Sequence, residues 1–153
     1  MSTIDERLTE LGITLPAVVP PVAAYIPAVV TGNLVYTSGQ LPMVDGVLPA
    51  TGKLGAGVSD EQGKQLARQC ALNGLAAVAS VIGSLDRITR IVKVVGFVAS
   101  DPGYTGQPGV INGASEILGE IFGDAGVHAR SAVGVAVLPL DSPVEVELVV
   151  EFA

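Results

Sequence analysis

The sequence predicts an α+β domain, a mixed sheet with two main helices laid on one of its faces. Three observations predict it. Residues 144–150 alternate strictly: Val144, Val146, Leu148 and Val150 share one side, and Glu145 and Glu147 share the other. That is a strand with one buried face. Leu66, Cys70, Leu75, Val78 and Ile82 instead recur near helical spacing, and Ile117, Leu118 and Ile121 mark a second helix. In chain order the segments read strand, strand, helix, strand, helix, strand, strand.

The first element is a short helix over about residues 4–11, because Thr3 and Glu6 have capping-box spacing and Gly12 follows as a stop. Pro16, Pro20 and Pro21 make the next stretch an extended arm. The runs "AAYIPAVV" and "LVYTSG" flank Thr31, Gly32 and Asn33, which predicts a hairpin with Pro27 at an edge or a bulge. Asp45-Gly46 suggests a second, smaller hairpin. Ser59 with Gln62 opens the long helix, and Gly83 ends it. "TRIVKVVGFVAS" reads as a strand whose Gly96 hints at a bulge. The second helix is expected over about residues 110–122, and "SAVGVAVLP" and "PVEVELVVEF" close the chain as strands. The division is then a helix and Pro-rich arm at 1–20 and a single domain at 21–153.

At 153 residues the chain suits one domain, large enough to bury a core without a disulfide or metal staple. An uncharged stretch runs from residue 13 to 44, but Pro16, Pro20, Pro21, Pro27 and Pro42 interrupt it, so no membrane helix is expected. There is no basic segment at Met1 and only one cysteine, Cys70, which makes the cytoplasm the expected compartment. Eight Lys and Arg stand against fifteen Asp and Glu, a net charge of −7. The bases are scattered and Trp is absent, which argues against nucleic acid as a partner. The single histidine, His128, cannot build a multi-histidine metal site. No phosphate-binding glycine motif and no GxSxG elbow is present, so no metal or organic cofactor is expected.

Arg130 is the leading candidate for chemistry, because its guanidinium fork matches a carboxylate and it stands at the mouth of an apolar strand. The plain alternative is an ion pair with a nearby acid. Glu145 or Glu147, desolvated beside a sheet, could polarise a water, or both could be ordinary solvated glutamates. Tyr25, Ser38 and Asn112 are polar residues in or beside apolar runs, open to roles as turn or core hydrogen bonders. Cys70 lies on the apolar stripe of the long helix and reads as core.

Four segments together resemble the reactive intermediate deaminase family, also called Rid or YjgF: "TGNLVYTSGQLP" at 31–42, "RIVKVVGFVAS" at 90–100, "VING" at 110–113 and "ARSAVGVAVLPLDSPVEVELVVEF" at 129–152. The resemblance implies a chorismate-mutase-like fold and a homotrimer, with sheets in the middle, helices outside and ligand pockets between subunits. It implies cofactor-independent hydrolysis of 2-imino or enamine acids to 2-oxo acids and ammonia. It places the carboxylate-binding arginine at Arg130 and the water-activating glutamate at Glu145. Tyr25, Ser38, Gly39 and Asn112 become the other ligand-binding positions. The chain departs from the family at His128, where a proline is usual, and at Ala132, where a cysteine is frequent. It also has the added N-terminal arm, a longer loop after Gln40, and Gly119 where bulkier residues are found. Binding of a small carboxylate metabolite without turnover stays open as the alternative. The ribonuclease label attached to the family fits the acidic charge poorly, and a chorismate mutase would want more cations near the pocket than Arg130 offers.

Overall fold

The structure, a computed structural model, describes residues 3–21 and 23–153; Met1, Ser2 and Val22 of the expected arm and domain lie outside them. The alternating segment forms β7 (Val144–Phe152), which buries Val144, Val146, Leu148 and Val150. It runs through the middle of a five-stranded sheet. On one side lie β2 (Leu34–Thr37) and, at the edge, β1 (Ala28–Thr31); on the other lie β5 (Ile88–Ala99) and, at the opposite edge, β6 (Ala129–Val135). The β1–β2 hairpin turns at Gly32-Asn33 as expected, and Pro27 sits just before the edge strand. β5 pairs antiparallel with β7 and parallel with β6, so the sheet is mixed.

Two helices cover one face. α2 (Asp60–Ile82) is capped by the Ser59 hydroxyl, which accepts from the Gln62 N–H, and it ends at Gly83 with φ 88°. α3 (Gln107–Phe122) begins earlier than the apolar spacing indicates. Its first turn contains Pro108, whose missing N–H costs nothing there. Asn73, fully buried on α2, donates to the carbonyls of Leu41 and Met43 at 2.9 and 3.0 Å and so fixes the loop after β2. α1 (Ile4–Glu10) has the full Thr3–Glu6 capping box. It is tied to the domain by Ile4 N–H to Asp86 Oδ1 and by Arg7 Nε to the Glu120 carbonyl.

Several details differ from the sequence reading. The register shifts of β5 fall between Ile88 and Lys93, not at Gly96. Gly96 is required for another reason: a Cβ there would lie 2.5 Å from Ile111 of α3. β6 starts at Ala129, which brings Arg130 into the strand. A small parallel pair, β3 (Lys53–Leu54) with β4 (Gly57–Val58), was not expected, since two-residue strands are too short to show a period. The Asp45-Gly46 turn is present, closed by Val44 and Val47. Among the described residues no helix is long and apolar enough to cross a membrane.

The two helices approach most closely at Gly113, where a Cβ would overlap the backbone carbonyl of Lys64. Gly113→Ala should therefore lower stability by about 1–3 kcal/mol through overpacking. Gly119→Ala, on the same helix with nothing within 4 Å, should be neutral or gain up to about 1 kcal/mol. Urea unfolding of the two variants side by side checks the contrast.

Candidate functional site

Arg130 enters β6 level with Val94 of β5 and Leu148 of β7, both buried against the helices. Its side chain therefore leaves the sheet on the helix-covered face, beside α3. There Nη1 donates to Asn112 Oδ1 at 2.8 Å and to Ser115 Oγ at 3.2 Å, and Nη2 donates to the Pro108 carbonyl at 3.3 Å. All three acceptors are neutral. Among the described residues the ion pairs are Arg7–Glu10 and Lys64–Glu116, and neither involves Arg130. Its printed bonds use three of the five N–H donors of a guanidinium. The Nε–H and one Nη2–H remain, side by side, in the arrangement that takes a carboxylate through two parallel bonds.

His128 stands two residues before the arginine. Its Nε2 lies 2.9 Å from Ser115 Oγ and its Nδ1 lies 2.6 Å from the Gly126 carbonyl. The sequence reading found Asn112 and missed Ser115. The signal was available: residues three apart on a helix share a face, so Ser115 had to follow Asn112 toward the same strand.

The second cluster lies across the sheet. Glu145 and Glu147 alternate with the buried residues of β7 and so leave by the face away from the helices. Glu145 borders a cavity of about 60 Å³ shared with Tyr25, Gly39 and Gln40. Gly39 is glycine of necessity, because a Cβ there would overlap the Glu145 carboxylate. Ser38 does not border this cavity; its hydroxyl donates to the Ile26 carbonyl at 2.6 Å and so steadies the segment that bears Tyr25. The arm supplies the rest of the wall through Val19, Pro20 and Pro21. Burial raises the Glu145 carboxyl above its ordinary value, and the neighbouring Glu147 charge adds to the effect. Cys70, wholly buried, has its thiol pushed well up by burial, with Glu145 contributing, which fits inert core rather than chemistry.

Of the predicted residues, then, Arg130 and Asn112 meet on one face, and Tyr25, Gly39 and Glu145 meet on the other. β5 separates β6 from β7, so the two groups are also two strand spacings apart, about 10 Å. One chain does not bring Arg130 and Glu145 to the same small ligand. Among the described residues no group of three or more His, Cys, Asp or Glu is placed to hold a metal ion.

Residues 5–152 match the family described as "YjgF/chorismate_mutase-like, putative endoribonuclease". Protein TCP17 of Trypanosoma cruzi is 44% identical over 149 residues, which cover 97% of this chain and 93% of that protein. The 2-iminobutanoate/2-iminopropanoate deaminase of Dermatophagoides farinae is 30% identical over 138 residues, covering 90% and 93%. The crystal structure of Atu1372, a protein with unknown function from Agrobacterium tumefaciens, is similar with a TM-score of 0.91 and 44% identity, covering 98% of this chain and 92% of that one.

The raised Glu145 carboxyl has a consequence for stability. A carboxyl whose folded value is raised holds its proton more tightly folded than unfolded. Its contribution to stability is therefore lost as pH rises from the ordinary carboxylate range through the raised folded value, and the deficit is complete above it. Glu145→Gln removes that penalty. The variant should melt at a higher temperature than the wild type near neutral pH, and the gap should close as pH falls to about 4, read by thermal unfolding across that range.

Proposed function

The chain belongs to the YjgF/Rid family, and from that premise we propose that it hydrolyses 2-imino and enamine acids to 2-oxo acids and ammonia in a pocket completed by a second copy of itself. The observation that carries the reading is Arg130: a half-buried guanidinium with three neutral acceptors, no acidic partner among the described residues and a parallel pair of donors left over. A cation so placed is a receptor for a carboxylate, and the deaminase relative acts on acids of that class.

The chemistry asked of the protein is small. In a 2-imino acid the reacting carbon is bonded directly to the carboxylate, so fixing the carboxylate on Arg130 fixes the imine carbon as well. Water adds to that carbon as Glu145 takes one of its protons. The tetrahedral intermediate then collapses: the carbon–oxygen double bond forms, the carbon–nitrogen bond breaks, and nitrogen leaves with the proton as ammonia. A carboxyl raised above its ordinary value is better matched to accepting and returning a proton near neutrality than a solvated one.

The two clusters lie on opposite faces, so Glu145 must come from a neighbouring chain. The open face of the sheet supports such an assembly. Val29, Tyr36 and Val133 are exposed there, with Phe97 and Val149 half-buried between them. An uncovered apolar sheet face favours association. The assembly we propose is the homotrimer.

Imine produced by an amino-acid oxidase and trapped with semicarbazide should disappear faster in the presence of the protein. Arg130→Ala should lower the rate at least about 100-fold, since two charge-assisted hydrogen bonds are lost. Full trapping with well-folded wild type, whichever amino acid is supplied, would reduce the function to carboxylate binding. Light scattering should return three times the chain mass, and a stable monomer would overturn the shared pocket.

A further inference from the structure

The role of His128 follows from its two hydrogen bonds. A carbonyl can only accept, so the 2.6 Å contact with Gly126 puts the ring proton on Nδ1. Nε2 is then a bare lone pair, and at 2.9 Å it accepts the Ser115 hydroxyl proton. The Ser115 oxygen also accepts from Arg130 Nη1 at 3.2 Å, which leaves one lone pair of its own unused. Base, hydroxyl and the third group that orients the base thus stand in the order found where a hydroxyl is activated. The orienting carbonyl is itself held firmly: Gly126 is buried, and a Cβ there would overlap the Leu118 carbonyl of α3.

We propose that Ser115 and His128 form a proton-accepting pair serving the ligand on Arg130, which removes the hydroxyl proton of the tetrahedral intermediate as it collapses. The proposal rests on the deaminase reading. Glu145 carries the proton from the attacking water to the departing nitrogen, and that leaves the new hydroxyl proton with no acceptor. As its carbon–oxygen double bond forms and the carbon–nitrogen pair goes to nitrogen, this proton passes to Ser115 Oγ while the serine proton passes to Nε2. His128 becomes imidazolium and later releases the proton to the departing ammonia or to water. Because the intermediate's hydroxyl sits on the carbon next to the carboxylate, groups hydrogen-bonded to Arg130 are the ones within its reach.

The surrounding charges make the pair conditional on ligand. Arg130 faces the same serine and opposes a second cation. The acids on neighbouring elements do not bond to the ring: Glu116 pairs with Lys64, and neither Glu120 nor Asp124 is a hydrogen-bond partner of His128. A ligand carboxylate on Arg130 cancels its charge and makes the imidazolium acceptable. Proton uptake is thereby coupled to substrate binding.

The test uses the full chain with 2-iminobutanoate as substrate and 2-oxobutanoate as the binding probe. Glutamine at 128 can accept the serine hydrogen bond and cannot take up a proton. His128→Gln and His128→Ala should each lose about 100-fold in kcat. Affinity for 2-oxobutanoate by calorimetry should stay within about threefold of wild type while Arg130→Ala loses it. Added imidazoles should restore His128→Ala, faster the more basic the azole. A kcat for His128→Gln near wild type, or azoles without effect on His128→Ala, would reduce the pair to a support for Arg130 and overturn the proposal. A wild type that leaves 2-iminobutanoate untouched sinks the deaminase reading and this proposal with it. Active wild type with unimpaired variants sinks the proposal alone.

Discussion

Five consecutive residues of α3 hold the molecule together at the point where its chemistry is set. Ile111 drops into the space left by Gly96 on β5, and Gly113 lets the backbone of α2 come within touching distance at Lys64. Between and beside them, Asn112 and Ser115 turn toward β6 and take hold of Arg130. The close approach and the polar contacts depend on one another. A helix standing further off could not reach the edge strand, and a bulkier residue at 96 or 113 would push it off.

The same one-sided packing explains the division of the candidate site. Helices cover a single face of the sheet, so alternation along each strand sends every side chain either into the core layer or toward the open side. Arg130 lands on the helix side at an edge strand, where neutral oxygens fix it without neutralising it. Glu145 lands on the open side near the middle strand, under a wall completed by the Pro-rich arm. Each cluster is incomplete for catalysis in isolation: one has the cation that orients an acid, the other a carboxyl raised by burial. An uncovered apolar surface between them gives a second chain a physical reason to bind.

The fold was legible in the sequence to the extent that burial is periodic. β7, α2 and the β1–β2 hairpin followed from alternation, helical spacing and a Gly-Asn turn, and the Thr3 cap followed from its glutamate. Gly96 was legible as special but not for what, since a bulge and a helix contact ask for the same missing Cβ. Arg130 and Asn112 could be named as residues of interest, but nothing local stated that one bonds the other across 18 positions. His128 could be seen to stand where a proline is usual, without any indication that a helix serine waits 13 residues earlier.

By itself, then, the sequence determined the element types, the covered and open sides of each strand and the residues able to hold an acid, because these depend on spacing along the chain and on side-chain chemistry. Only the tertiary structure decided which of them meet. It placed Arg130 and Glu145 on opposite faces, gave Arg130 neutral partners in place of an acid, and brought Ser115 between the arginine and His128. The reason is physical: the pairing of β5 with both β6 and β7 and the depth at which α3 sits are settled by packing between segments far apart in the chain, and no local pattern encodes such a distance.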